Sequence, residues 1–104
     1  MNIKYEPNTK ALFFEITEEI DHHAVEIIRR KADDEITRYM PRKVVFDFNN
    51  VTFMDSAGIG MVLGRYKMIK MIGGNLEMIN VSKKLKKIFE MSGVTKICPL
   101  KEVS

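Results

Sequence analysis

A hydroxyl, a carboxylate and three glycines crowd one short stretch, Asp55-Ser56-Ala57-Gly58-Ile59-Gly60 with Gly64 just beyond. Before it runs Val44-Val45-Phe46-Asp47-Phe48, a β-branched and aromatic pattern of a sheet-core strand. After it, Met61 to Ile72 is periodic and long enough for a helix. Strand, turn, polar residue, helix is the order in which open α/β sheets carry functional residues. Asp55 and Ser56 are both types that cap a helix by accepting from its unpaired N–H groups. Those N–H groups and their partial positive charge would also stabilise a phosphoryl group added to Ser56. Such a group adds about −1.5 to −2 charges, so Asp55 would be repelled and a partner surface fitted to the neutral hydroxyl would reject it. Capping and phosphoacceptance are compatible roles.

Other chemistries fail on spacing. A dinucleotide fingerprint counted from Gly58 and Gly60 needs glycine at Leu63, and the third glycine comes one position late at Gly64. No Gly-Lys-Ser/Thr follows, which excludes a Walker-type phosphate loop. No Gly-x-Ser-x-Gly elbow surrounds Ser56, and no local base activates it, so it has the character of a substrate and the chain is not expected to be an enzyme. His22 and His23, the two histidines, point about 100° apart on a helix and do not converge on one metal. No metal and no cofactor are expected.

The elements along the whole chain must position Ser56. Ile3-Lys4-Tyr5, the turn Glu6-Pro7-Asn8-Thr9 and a strand from Ala11 to Thr17 predict an N-terminal antiparallel hairpin. Asp21 is a plausible N-cap for a helix from His22 to Tyr39, with Val25, Ile28, Ala32, Ile36 and Tyr39 at helical spacing and Pro41 as the stop. The strand Lys43 to Phe48, the loop Asn49 to Asp55 and a second helix ending at Gly73-Gly74 follow. Leu76 to Val81 is a fourth strand. Ser82 caps a third helix bearing Leu85, Ile88 and Phe89, closed by Gly93, and Lys96-Ile97-Cys98 is expected to form a last short strand before Pro99. The order β-β-α-β-α-β-α-β predicts a single α/β domain over residues 1–104, a mixed sheet with parallel crossovers and helices packed on it.

On a wheel that places Ile59 at zero, Ile59, Val62, Leu63, Tyr66 and Ile69 share the core face of the second helix, and Lys70 near that face must snorkel. Met61 and Met68 then fall opposite, with Met71 close by. They are either adaptable core filling or a solvent-facing docking stripe beside Ser56. Lys83, Lys84, Lys86 and Lys87 read as a solvated helix face, or as an electrostatic contact for an acidic partner.

The bulk properties narrow the class. At 104 residues the chain can bury one core without staples. Its net charge of +3 is too small for a dedicated nucleic-acid binder and suits docking onto an acidic protein surface. No apolar run reaches a membrane span, and no apolar region near the N-terminus suggests a secretory signal. The lone Cys98 forbids an intrachain disulfide, and a reducing, cytoplasmic setting is expected.

The stretch Asp55 to Gly60 resembles the phosphorylation-site motif of the anti-sigma factor antagonists, the STAS-domain family. Asp21-His22-His23 after Glu19-Ile20, Leu63-Gly64-Arg65-Tyr66-Lys67 leading to Ile72-Gly73-Gly74, and Phe89-Glu90-Met91-Ser92-Gly93 resemble its sporulation branch, the stage II sporulation protein AA type. The likeness covers nearly the whole chain in matching order. It implies a protein switch: the unphosphorylated form binds an anti-sigma factor that is also a serine kinase, which frees a sporulation sigma factor. The kinase phosphorylates the motif serine, here Ser56, and a PP2C-type phosphatase restores it. Carried over by position, Ser56 is the phosphoacceptor, Asp21 lines the kinase-facing surface, and Gly58 and Gly60 shape the helix start. With Asp55, Met61 and Met68 these residues make the expected partner surface of a chain that is a monomer when free, without direct contact to nucleic acid or membrane. A general-stress antagonist of a different sigma factor, or a ligand- or nucleotide-binding STAS-like module, are the alternatives. Glu18 stands where the family often has glycine, and Ala57 replaces a commonly seen second serine. The chain stops at Ser104, where relatives often continue into a further helix.

Overall fold

Alternation along Ala11-Leu12-Phe13-Phe14-Glu15 produces a strand with two unlike faces, Leu12 and Phe14 fully buried and Phe13 partly exposed. In the computed structural model, which describes residues 1–98 and 100, this strand is β2 (Ala11–Glu15). It pairs antiparallel with β1 (Asn2–Glu6), Ile3 opposite Phe14 and Tyr5 opposite Leu12, as the predicted hairpin requires. β3 (Lys43–Asp47) runs parallel to β2, and β4 (Asn75–Ile79) runs parallel to β3, so the sheet order is β1-β2-β3-β4. Each parallel pair needs a crossover, and the amphipathic segments supply them as α1 (His22–Tyr39) and α2 (Ser56–Met71). Leu12, Phe14, Val44, Phe46, Leu76 and Met78 line the face on which the helices close the core. A mixed α/β sheet is observed as predicted, with four strands among the described residues.

Helix ends follow the local chemistry. At the end of α2, Gly73 takes φ +84°, a region costly for other residues, and its N–H donates to the Lys70 carbonyl at 3.1 Å. The next N–H, from Gly74, donates to the Ile69 carbonyl at 2.9 Å, which completes a left-handed cap of the expected kind. α3 (Lys83–Ser92) starts where the Ser82 hydroxyl accepts from Leu85 N–H at 3.1 Å. Leu85 and Phe89 of α3 are buried while Lys83, Lys84 and Lys87 are exposed, the pattern of a solvated basic face.

Two expectations fail. The strand predicted at Lys96-Ile97-Cys98 is instead a short helix, α4 (Val94–Ile97), with Cys98 just past its end. Gly93 at φ +84° closes α3 and the chain immediately winds one further turn, burying Val94 and Cys98 four residues apart. A spacing of four belongs to a helix; three consecutive residues were too few to show it. Pro99, which was to follow that strand, lies outside the described residues.

The second failure concerns α2. Its buried residues are Gly58, Met61, Val62 and Ile69, whereas Ile59, Leu63 and Tyr66 are only partly buried. The core face is therefore turned by roughly 80° from the wheel set on Ile59. Met61 is 3% exposed and belongs to the core, Met68 is half-buried against it, and only Met71 stands in solvent. A solvent-facing stripe through Met61 and Met68 does not exist. The helix is apolar around most of its girth, so hydrophobicity alone cannot choose the face. The closest approach chooses it, at Gly58. Lys70, by contrast, does reach outward, to Asn75 and over the Tyr66 ring.

Candidate functional site

β2 and β3 point the same way, so the connections that leave them emerge together at one edge of the sheet. The chain after β2 reaches Asp21, and the chain after β3 reaches Asp55. A single parallel bridge between Ile20 and Met54 ties the two connections together one residue before these aspartates. Backbones paired in this way stand about 4.8 Å apart. Glu19 adds a second clasp: its carboxylate accepts from Thr52 N–H at 3.2 Å and from the Thr52 hydroxyl at 3.3 Å. Inside the second loop, Asp47 accepts from Asn49 N–H at 2.9 Å and from the Asn80 amide at 3.0 Å. The result is two helix N-termini side by side at the carboxyl ends of parallel strands, where open α/β sheets place their sites.

Both helices begin with an aspartate cap. Asp21 accepts from His23 N–H at 3.0 Å and Ala24 N–H at 2.8 Å. These bonds, that from Ala24 foremost, hold its carboxyl below the ordinary value. Asp55 accepts from Gly58 N–H at 3.0 Å. Ser56 is thus the first helical residue of α2, and it is exposed. Its hydroxyl is open to a large partner and sits where helix N–H groups favour an added anion.

Gly58 explains the local backbone. A Cβ there would lie 2.3 Å from Met54 Cγ and 2.9 Å from Ile20 Cγ2, the side chains of the bridged pair. The bare backbone of Gly58 lets α2 press directly onto the bridge and holds Ser56 at the rim. Gly60 differs, because a Cβ there would meet nothing within 4 Å. Gly58 clears bulk between the helix and the bridged loops, whereas Gly60 and Gly64 do not.

The site residues read from sequence therefore divide. Asp21, Asp55, Ser56, Gly58 and Gly60 come together at one edge, with Gly58 beneath the surface. Met61 is buried under them, and Met68 lies three turns along α2. Sequence reasoning missed Phe53, half-exposed beside the loop with Lys84 Nζ 6.0 Å from its ring centre. It also missed the Ile20–Met54 bridge and the clasp of Glu19 on Thr52, which no residue pattern signals. The His22 and His23 rings stand edge to face at 6.0 Å, and no group of three or more His, Cys, Asp or Glu among the described residues could hold a metal. Cys98 is buried, and burial pushes its thiol up to about 11, the state of an inert packing residue. No helix among the described residues is long and apolar enough to cross a membrane.

Comparison with known proteins identifies the family and the fold. The STAS domain family matches residues 2–103. The anti-sigma F factor antagonist of Paenibacillus polymyxa is 34% identical over 100 residues, covering 96% of this chain and 86% of its own. The solved structure of the anti-sigma factor antagonist SpoIIAA in its unphosphorylated form superposes with a TM-score of 0.81 at 30% identity, over 99% of this chain and 89% of that one. The phosphorylated form of the Bacillus cell fate determinant SpoIIAA gives a TM-score of 0.73 at 29% identity, over 99% of this chain and 92% of its own. Matched over residues 2–103 by the family model and aligned along nearly all of its residues with these antagonists, the chain belongs to the STAS family of anti-sigma factor antagonists.

Proposed function

We propose that this antagonist is a phosphorylation switch in which Ser56 decides whether a sporulation anti-sigma factor is bound. The unphosphorylated chain presents Asp21, Asp55, Ser56 and the bare backbone at Gly60 to an anti-sigma factor that is itself a serine kinase. Binding withdraws that factor from its sigma factor. Transfer of phosphate to the Ser56 hydroxyl places two negative charges beside the Asp55 carboxylate, and an interface that has excluded water cannot accommodate them unpaired. A PP2C-type phosphatase resets the switch. The chain works in the cytoplasm as a monomer, and it acts by occupancy, with chemistry left to its partners.

The carrying observation is the position of Ser56, exposed as the first residue of a helix whose Asp55 cap holds Gly58 N–H and whose backbone at Gly58 is seated against the core. That a relative at about this identity has been solved in both unphosphorylated and phosphorylated forms supports the same reading. Mass spectrometry after incubation with the cognate kinase and ATP tests it. One phosphate is expected on Ser56 and none on a Ser56→Ala variant that still binds. Stoichiometric modification of that variant would overturn the assignment.

A further inference from the structure

Arg65 is a charged residue on a buried helix face. It stands among Met61, Val62 and Ile69 on α2, and its side chain is only 11% exposed. Its Nε lies 2.9 Å from Oδ1 of Asp33 on α1. The other oxygen of Asp33 lies 3.5 Å from Arg29 Nη1, and Arg29 Nη2 donates to Glu26 at 2.8 Å. The line of charge thus runs from α2 across to α1 and back along it toward Asp21.

This pair is poorly built as a source of stability. Arg65 Nε and Asp33 Oδ1 are close yet not aligned as a hydrogen bond, and the buried Arg65 Nη1 has no hydrogen-bond partner. Burial pulls the guanidinium of Arg65 below its ordinary value, and the charge of Asp33 only opposes that. Apolar side chains of the same volume commonly match or exceed such a pair in stability. What apolar side chains lack is direction. Gly58 seats only the first turn of α2 on the Ile20–Met54 bridge; beyond it the buried residues of the two helices, Val25, Ile28, Ala32 and Ile36 on α1 and Met61, Val62 and Ile69 on α2, are all apolar side chains. Their contacts tolerate a small slide or roll, because the hydrophobic effect is non-directional. A slide of either helix out of register draws the largely buried guanidinium away from its carboxylate, and that separation costs most where water is excluded.

That register matters at the other end of the helices, since α1 begins at Asp21 and α2 begins at Ser56. We propose that the Arg65–Asp33 pair is a positioning device: it locks α2 against α1 and so sets where Ser56 stands relative to Asp21 when the kinase docks. The inference rests on the reading of Ser56 as the phosphoacceptor, and goes beyond it by assigning a distant residue pair to the geometry of the switch.

The test is a variant that keeps the packing and removes the charge contact, Arg65→Met with Asp33→Leu, beside the reversed pair Arg65→Asp with Asp33→Arg, made with Arg29→Gln so that no second guanidinium faces position 33. In the apolar double variant the melting temperature is expected to stay at or above that of the parent. The KM for phosphorylation by the cognate kinase should rise roughly tenfold, with kcat changed about twofold or less. The reversed pair should recover most of the KM. An apolar double variant with the parent's melting temperature and the parent's KM would overturn the proposal. If that variant melts lower, the reversed pair decides: recovered KM supports positioning, and unrecovered KM removes it. If the parent itself is not modified at Ser56, the phosphoacceptor reading has failed separately. Amide exchange at residues 20–24 and 54–58 then judges the pair, with faster exchange in the apolar variant supporting it and unchanged exchange overturning it.

Discussion

The starts of α1 and α2 are built on one plan and put to different uses. Each has an aspartate cap, Asp21 and Asp55, each follows a parallel strand, and the two are bridged through Ile20 and Met54. The difference lies in the next three positions. α1 continues His22-His23-Ala24, and its cap holds two backbone N–H groups. α2 continues Ser56-Ala57-Gly58, and its cap holds one. Ala24 has room for its methyl group, whereas a methyl at Gly58 would strike Met54 and Ile20. One helix start has two N–H groups held by its aspartate. The other is pressed into the core from below, exposes a small hydroxyl above, and keeps capacity for an anion. The proposed switch needs the second kind, because the group that changes must be reachable while its backbone stays put.

Charge at the first helical position separates the two starts most strongly. Ser56→Glu is expected to weaken binding to the anti-sigma factor by on the order of 3 kcal/mol, roughly a hundredfold, while His22→Glu at the matching position of α1 costs far less. Neither should lower the melting temperature, since an acidic residue in the first turn suits the helix dipole. Titration calorimetry and thermal melts on the two variants check this, and equal losses of affinity would end the contrast.

Packing at the third position comes next. Gly58→Ala should destabilise the fold by about 1–3 kcal/mol, because its methyl meets the near end of the Met54 side chain and a branched Ile20 carbon. Ala24→Gly should cost about 1 kcal/mol or less, from helix propensity alone. Urea unfolding measures both, and a neutral Gly58→Ala would show that the bridge yields easily.

The caps are the smallest effect. Asp55→Ala should cost about 1 kcal/mol, with Asp55→Asn retaining most of it, as expected for a side chain that serves as an acceptor. Asp21 adds a pH signature. Its carboxyl titrates below the ordinary 3.8 in the folded state, so its contribution is complete above that value and is lost as the pH falls through the lower, folded value. Melting curves between pH 5 and 2 should therefore show a loss of stability at the acid end that an Asp21→Asn variant, already neutral, does not share. Parallel curves for the two proteins would contradict it.

Much of this design is legible in the chain. The period of Val25, Ile28, Ala32 and Ile36, the cap residues Asp21 and Ser82, and the Gly73-Gly74 stop reappear as predicted, because each is a local preference that no distant contact has to supply. The order of strands and helices left little freedom in the topology, given that parallel neighbours need right-handed crossovers. Asp55-Ser56-Ala57-Gly58 was readable as a strand-to-helix turn with an exposed hydroxyl for the same reason.

Other features are decided only when the elements meet. Which side of α2 is buried depends on Gly58 settling against Met54, close in the chain, and against Ile20, which is distant in the chain until the sheet forms, so Met61 went inward against the simple wheel. The nearness of Asp21 to Asp55 comes from the parallel pairing of β2 and β3, and Arg65 meets Asp33 only because α1 and α2 then lie side by side. Local sequence encodes hydrogen bonds and periods within a few residues. Contacts between elements depend on shape and register, which no single segment contains.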